Sequence, residues 1–264
     1  MITLWDGATS TNIIHNETCI EKHLLIHPED LENLHKEYKE AGSVALLAPT
    51  FLSNRYYLKE HGLEDRVCEI NTFLVSLSKK SGLKVGGSIA PILDDIQNKE
   101  EIYMEQINAL IDARCDFIMI ETMANLNCAK TILKSLGKPQ IPVYVTMVIG
   151  DSGLTSDGFT ALECFNCLTK FQISGFGFNC TSPSTILENI KSIPKNASIP
   201  IIAKPSAGLP GRLIKEEKFA EYMELIIKEG ATIIGGCCGT TPSYIKQLAK
   251  KVYHDQNENR NKEL

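Results

Sequence analysis

The chain has 264 residues, 43% of them hydrophobic and 22% charged, which is enough apolar material for one sizeable core. A formal net charge of −5 without a long basic run argues against nucleic acid or an anionic membrane surface as partner. No apolar stretch reaches the roughly 18 residues of a spanning helix, and the opening Met-Ile-Thr-Leu-Trp-Asp-Gly lacks the pattern of a signal peptide, so the expectation is a cytoplasmic protein.

Short apolar, β-branched runs recur along the chain at 2–5, 44–48, 84–89, 117–120, 142–148, 175–178, 199–203 and 232–234. Segments with helical spacing separate them, at 28–40, 63–80, 99–113, 125–136, 160–170, 184–193, 216–229 and 242–252. In the second of these, Val67, Ile70, Leu74 and Leu77 follow the i, i+3, i+4 rule. Ser182-Pro183 and Thr241-Pro242 each set a capping hydroxyl before a proline suited to the first helical position. Gly230 is placed to stop the helix before it. Eight β-then-α units without a linker or composition shift predict a single-domain (β/α)8 TIM barrel over 1–253, with 254–264 as a polar C-terminal tail. A doubly wound open sheet shares the alternation, and the count of eight favours closure.

In a barrel the chemistry sits on the loops that leave the C-terminal ends of the strands. The unusual residues fall there: Asp6, Thr50, Glu121, Asn179, Cys180, Ser206, Cys237 and Cys238. Nine cysteines in a reducing compartment are expected to be free or metal-bound. Cys164 and Cys167 form a Cys-x-x-Cys inside a predicted helix, without a second such pair, and read as core packing. Cys237 and Cys238 differ, because flanking Gly235, Gly236 and Gly239 leave little to bury them. Thiolates about 2.3 Å from a tetrahedral Zn²⁺ are one reading of the pair, and buried inert thiols are another. Cys180, one strand away around the barrel, favours zinc.

These residues carry a resemblance. From Leu4 to about Val252 the chain resembles the homocysteine S-methyltransferase family, in particular the homocysteine-binding barrel of cobalamin-dependent methionine synthase. The matching segments are Trp5-Asp6-Gly7-Ala8, Pro49-Thr50-Phe51, Asn54-Arg55 and 61–65. They continue with 87–91, Ile120-Glu121-Thr122-Met123, Phe178-Asn179-Cys180 and 235–242. The resemblance implies a (β/α)8 barrel and Cys180, Cys237 and Cys238 as ligands of Zn²⁺. It implies Asp6, Gly7, Ala8, Glu121 and Asn179 as substrate-binding residues, Glu121 holding the amino group of L-homocysteine. The implied reaction is methyl transfer to the homocysteine thiol, giving methionine. The implied donor is a methylated corrinoid, a cobalamin carried by a separate protein. S-methylmethionine or another small onium compound is the alternative. Ser10, Ala48-Pro49-Thr50 and Ser206 depart from the family pattern near the site. Two readings of other classes stay open: a phosphate-binding barrel lyase or synthase with Lys204 as its lysine, and a non-catalytic thiol-binding subunit.

Overall fold

The computed structural model describes residues 2–13, 17, 19–208 and 211–262, with side chains to 252. Eight parallel strands lie in the order β1-β8-β7-β6-β5-β4-β3-β2. They are β1 (Thr3–Leu4), β2 (Ala45–Ala48), β3 (Lys84–Ile89), β4 (Phe117–Met123), β5 (Val143–Met147), β6 (Gly175–Asn179), β7 (Ile201–Lys204) and β8 (Ala231–Ile234). The ends of this order meet at a Trp5–Ala45 bridge between β1 and β2, so the sheet closes into the (β/α)8 barrel expected from the eight alternations.

The helices are α1 (Ile20–Ile26), α2 (Pro28–Glu40), α3 (Arg55–Leu58), α4 (Val67–Lys79), α5 (Lys99–Asp112), α6 (Leu126–Leu136), α7 (Ala161–Leu168), α8 (Pro183–Ile190), α9 (Glu216–Lys228) and α10 (Pro242–Lys262). Eight of them match the expected crossover helices; α1 and α3 are short insertions after β1 and β2. Ser182 caps α8 by accepting from the Thr185 amide, with Pro183 in the first turn. Thr241 precedes Pro242 as expected, but its hydroxyl pairs with Ser243 Oγ at 2.7 Å. Gly230, at φ +113°, ends α9. The backbone of α10 continues to Lys262, through much of the segment expected as a tail.

Two cores follow from strand periodicity. One lies between the sheet and the helix ring, where Leu46, Val85, Ile118, Val145 and Phe176 face Leu74, Leu110, Ile132 and Phe219. The other fills the barrel: Trp5, Ala45, Leu47, Phe117, Met119, Ile202 and Ile233, with Tyr144 against them. Trp5 and Phe117 lie 4.6 Å apart between ring centroids, and Tyr144 meets both edge-on. Gly86 makes room for this cluster, since a Cβ there would come within 2.1 Å of the Phe117 ring. Two residues further along, the same alternation sets Ser88, Glu121, Asn179 and Lys204 in the uppermost layer. Apolar packing below therefore fixes the polar residues above.

Candidate metal centre

Cys180 follows β6 directly, in a left-handed conformation (φ +59°) that is uncommon for a side chain with a Cβ. Its amide donates to the Lys204 carbonyl at 3.2 Å, tying it to β7. Cys237 and Cys238 sit on the turn between β8 and α10, and the turn is held from both sides. The Cys237 amide donates to the Pro205 carbonyl at 2.9 Å, while the Thr240 hydroxyl donates to the Cys237 carbonyl at 2.6 Å. The Ser206 hydroxyl donates to the Cys238 carbonyl at 3.0 Å, so this departure from the family pattern braces the turn. A Cβ at Gly236 would lie 2.2 Å from Thr240 Oγ1, so only glycine permits the close approach.

The three sulfurs converge. Cys180 Sγ is 3.7 Å from Cys238 Sγ, Cys237 Sγ is 4.0 Å from Cys238 Sγ, and all three lie within 4.8 Å of one another. Two sulfurs each about 2.3 Å from a tetrahedral centre stand about 3.8 Å apart, so the trio fits one zinc-sized ion and leaves a fourth direction open. An all-thiolate donor set suits Zn²⁺. The sulfurs share one readily formed negative charge. Hydrogen bonds from Cys180 and Cys237 pull the Cys238 thiol down to about 3. The bond from Cys237 lowers Cys180, but the bond to Cys238, burial and nearby charge outweigh it and push Cys180 up to about 12. Among the described residues this is the one such group of three ligand side chains. Cys164 is buried in the core and Cys167 packs against it, as expected of that pair.

The sulfurs open on a cavity of about 220 Å³ at the C-terminal end of the barrel. Its walls include Gly7, Ala8, Glu121, Thr122, Ser88 and Lys204. Glu121 and Thr122 fall where the β4–β5 register slips between Ile120 and Met123. Thr122 has φ +61°, a costly conformation for a β-branched residue. Asn179 holds it there: the Thr122 amide donates to Asn179 Oδ1 at 3.0 Å, and Asn179 Nδ2 donates to Thr122 Oγ1 at 2.9 Å. Asn179 Nδ2 also donates to Glu121 Oε2 at 2.9 Å, and the Ser88 hydroxyl donates to the other Glu121 oxygen. Burial raises the Glu121 carboxyl, opposed by the Ser88 hydrogen bond and the Lys204 charge. Glu121 thus faces the cavity, whereas Asn179 is fully buried and braces it from outside the lining.

Asp6 is also fully buried and outside the lining. Its Oδ1 accepts from Lys204 Nζ at 2.5 Å, and its Oδ2 accepts from the Leu47 amide at 2.7 Å. Lys204 Nζ donates again to the Asp6 carbonyl at 2.9 Å and stands 5.9 Å above the Trp5 ring. The lysine considered for lyase chemistry is therefore committed to an ion pair that fixes the β1 turn. Beyond that turn the Ala8 amide donates to Thr240, while the Gly7 and Thr9 amides meet no protein acceptor among the described residues. The family-like Asn54-Arg55 segment is scaffolding: Asn54 caps α3, and Arg55 joins Asp65 and Glu105. The sequence reading did not single out Ser88 or Glu21 as cavity residues. For Ser88 the signal was present, because it shares the inward parity of Gly86.

Parallel strands closed into a barrel, with three converging sulfurs and a buried carboxylate on one cavity at the C-terminal ends of the strands, define a (β/α)8 barrel with a cysteine cluster able to hold a metal ion. The chain belongs to the homocysteine S-methyltransferase family, whose sequence model matches residues 3–252. It is 26% identical over 280 residues to methionine synthase of Mycobacterium tuberculosis, covering 93% of this chain and 23% of that protein. The Mycobacterium leprae methionine synthase is 24% identical over 277 residues, covering 93% and 22%. The chain thus spans under a quarter of these relatives. Among solved structures, the metallated form of the homocysteine methyltransferase MmuM from Escherichia coli superposes with a TM-score of 0.83 at 22% identity, covering 95% of this chain and 96% of that one. The oxidized form of that protein superposes equally well. No helix among the described residues is long and apolar enough to cross a membrane.

Proposed function

We propose that this barrel transfers a methyl group to the thiol of L-homocysteine, giving methionine, with Cys180, Cys237 and Cys238 holding a Zn²⁺. The observation that carries the reading is the convergence of three sulfurs on the cavity that Glu121 also lines. When bound, the ion favours the deprotonated form of an incoming thiol, which free in water has a pKa of about 8.5. The rest is positioning by the chain's own groups. Glu121, fixed by Ser88 and Asn179, accepts from the substrate ammonium. The open amides of Gly7 and Thr9 donate to its carboxylate. Lys204 and Asp6 keep the β1 turn in register with β8, since the Gly236 amide donates to the Asp6 carbonyl at 2.9 Å.

Two donors suit an attacking thiolate. One is a methylated corrinoid presented by a separate protein. It is supported by kinship with methionine synthases, of which this barrel spans about a quarter. Exposed Leu52, Leu93, Leu154 and Leu213, on the loops after β2, β3, β5 and β7, offer such a partner apolar contacts around the mouth. The other is a small onium compound, admitted directly into the cavity on which the sulfurs open. The test is a donor screen on zinc-loaded protein with homocysteine, following methionine. Formation of methionine with at least one donor, lost in Cys238→Ser, supports the reading. No methionine with either a methylated corrinoid protein or a panel of sulfonium and quaternary ammonium compounds overturns it.

A further inference from the structure

Two loops, far apart in sequence, meet at the cavity: the one after β1 carries the Gly7 and Thr9 amides, and the turn after β8 carries Cys237 and Cys238. A polar knot locks one to the other, and its centre is a pair of carbonyls, those of Ala8 and Thr240. Tyr38, on α2 and fully buried, donates its hydroxyl to the Ala8 carbonyl at 2.6 Å and stands 3.1 Å from the Thr240 carbonyl oxygen. Asn12 Nδ2 donates to the same two oxygens, at 2.7 Å to Ala8 and 2.8 Å to Thr240, and lies 3.3 Å from the Tyr38 hydroxyl. Thr240 passes the tie to a sulfur-bearing residue, because its hydroxyl donates to the Cys237 carbonyl at 2.6 Å.

The contact between the loops leaves no slack. A Cβ at Gly7 would lie 2.7 Å from both the Tyr38 hydroxyl and Thr240 Oγ1, and 3.0 Å from the Thr240 carbonyl oxygen. The Gly239 amide adds a further tie, donating to Thr11 Oγ1 at 3.2 Å. Tyr38, Asn12 and Thr240 themselves lie outside the cavity lining, so they act on a ligand only through the loops they join.

We propose that Tyr38 and Asn12 are positioning residues that fix the distance between the Gly7 and Thr9 amides and the sulfur cluster, and so select the acceptor thiol by its length. The proposal rests on the homocysteine reading above. A ligand held at its carboxylate by those amides and at its ammonium by Glu121 reaches the metal only if its carbon chain spans a set gap. A chain one methylene shorter, as in cysteine, stops about 1.5 Å short. A misplacement of about 1 Å can cost roughly 100-fold. Cysteine therefore ligates the metal only by giving up the amides, and its affinity does not depend on the knot. The affinity of homocysteine does, because its contacts at both ends must be made at once.

The test titrates the cobalt-substituted whole chain with L-homocysteine and with L-cysteine, reading the change in cobalt–thiolate absorption as a new thiol ligates. One methylene is worth about 10- to 200-fold, and wild type should prefer homocysteine by a factor of that order. Tyr38→Phe keeps the ring and removes the hydroxyl, while Asn12→Ala removes the amide at a partly exposed position. Each should raise the homocysteine Kd roughly 5- to 30-fold, the effect of one buried hydrogen bond left unmade, with the cysteine Kd within about twofold. The preference then narrows by the same factor. Zinc content should stay at one equivalent, since Pro205 and Ser206 still hold the cysteine turn. Variants that melt earlier but keep the wild-type preference overturn the proposal and leave the knot a purely structural brace. Should Tyr38→Phe fail to fold, Asn12→Ala decides alone. If homocysteine leaves the wild-type cobalt spectrum unchanged, the homocysteine reading fails and the proposal with it.

Discussion

Replacing Lys204 by methionine removes the cation of a pair whose side chains are 2% and 1% exposed. Asp6 then loses its one side-chain donor and keeps backbone donors, the Leu47 amide at 2.7 Å among them. Removing one partner of a buried pair costs about 3–5 kcal/mol, because a charge is left without compensation. In a chain of this size 1 kcal/mol corresponds to about 2–4 °C in Tm, so the variant should melt roughly 6–20 °C below wild type. The sign of the pH dependence follows from Asp6. Burial already raises its carboxyl above 3.8, and without Lys204 it rises further. A carboxyl with a raised folded-state pKa favours the folded protein below its unfolded value and loses that contribution as pH climbs through the folded value. Lys204→Met should therefore recover part of its deficit between pH 8 and pH 5. Adding Asp6→Asn to Lys204→Met removes the stranded charge and should restore part of the loss at pH 8. Urea and thermal unfolding followed by circular dichroism, all with chelator present so that metal binding does not contribute, measure these differences. A Lys204→Met variant within 2 °C of wild type, or a double variant as unstable as the summed single changes, would refute the account of the pair.

Serine at any one of Cys180, Cys237 or Cys238 replaces a soft ligand with a poor one. Zinc content after dialysis should fall well below one equivalent while the fold persists, as metal analysis and circular dichroism will show. Asn179→Ala strands Thr122 and frees Glu121; at about 1–3 kcal/mol per unsatisfied buried group, kcat/KM for homocysteine should drop roughly 5- to 150-fold, with zinc content retained. Gly86→Ala places a methyl against Phe117 and should cost about 1–3 kcal/mol in urea unfolding, with a Phe117→Leu second change relieving part of it.

Much of the plan was legible because it rests on periodicity and local punctuation. The eight apolar runs appear as strands within a few residues of expectation, and helix starts at Ser182-Pro183 and Thr241-Pro242 are where the prolines put them. The cysteine trio was legible because glycine-flanked vicinal cysteines are poor core material, and the structure brings Cys180 to them. Long-range polar pairing was not. The Lys204–Asp6 bond spans 198 residues, and nothing in Lys-Pro-Ser-Ala-Gly separates a lysine buried in an ion pair from a reactive one. Asn179 was expected to bind the substrate; the structure places it fully buried outside the cavity lining, bonded to Glu121 and Thr122. Glu21 lies in a polar stretch without clear period, so neither α1 nor the inward turn of that carboxylate could be anticipated.

The meeting of β1 and β2 is thinner than the other seams of the barrel, a single bridge at Trp5–Ala45 where neighbouring pairs share several rungs. Just above it, an Asp6 oxygen takes the Leu47 amide that a longer strand would have engaged with backbone. The side chain that stitches the cylinder shut is thus the one that grips Lys204 at the cavity floor. Any gaping of the stave joint must loosen both together, and hydrogen–deuterium exchange at the Leu47 amide becomes a natural gauge of how tightly the vessel is closed.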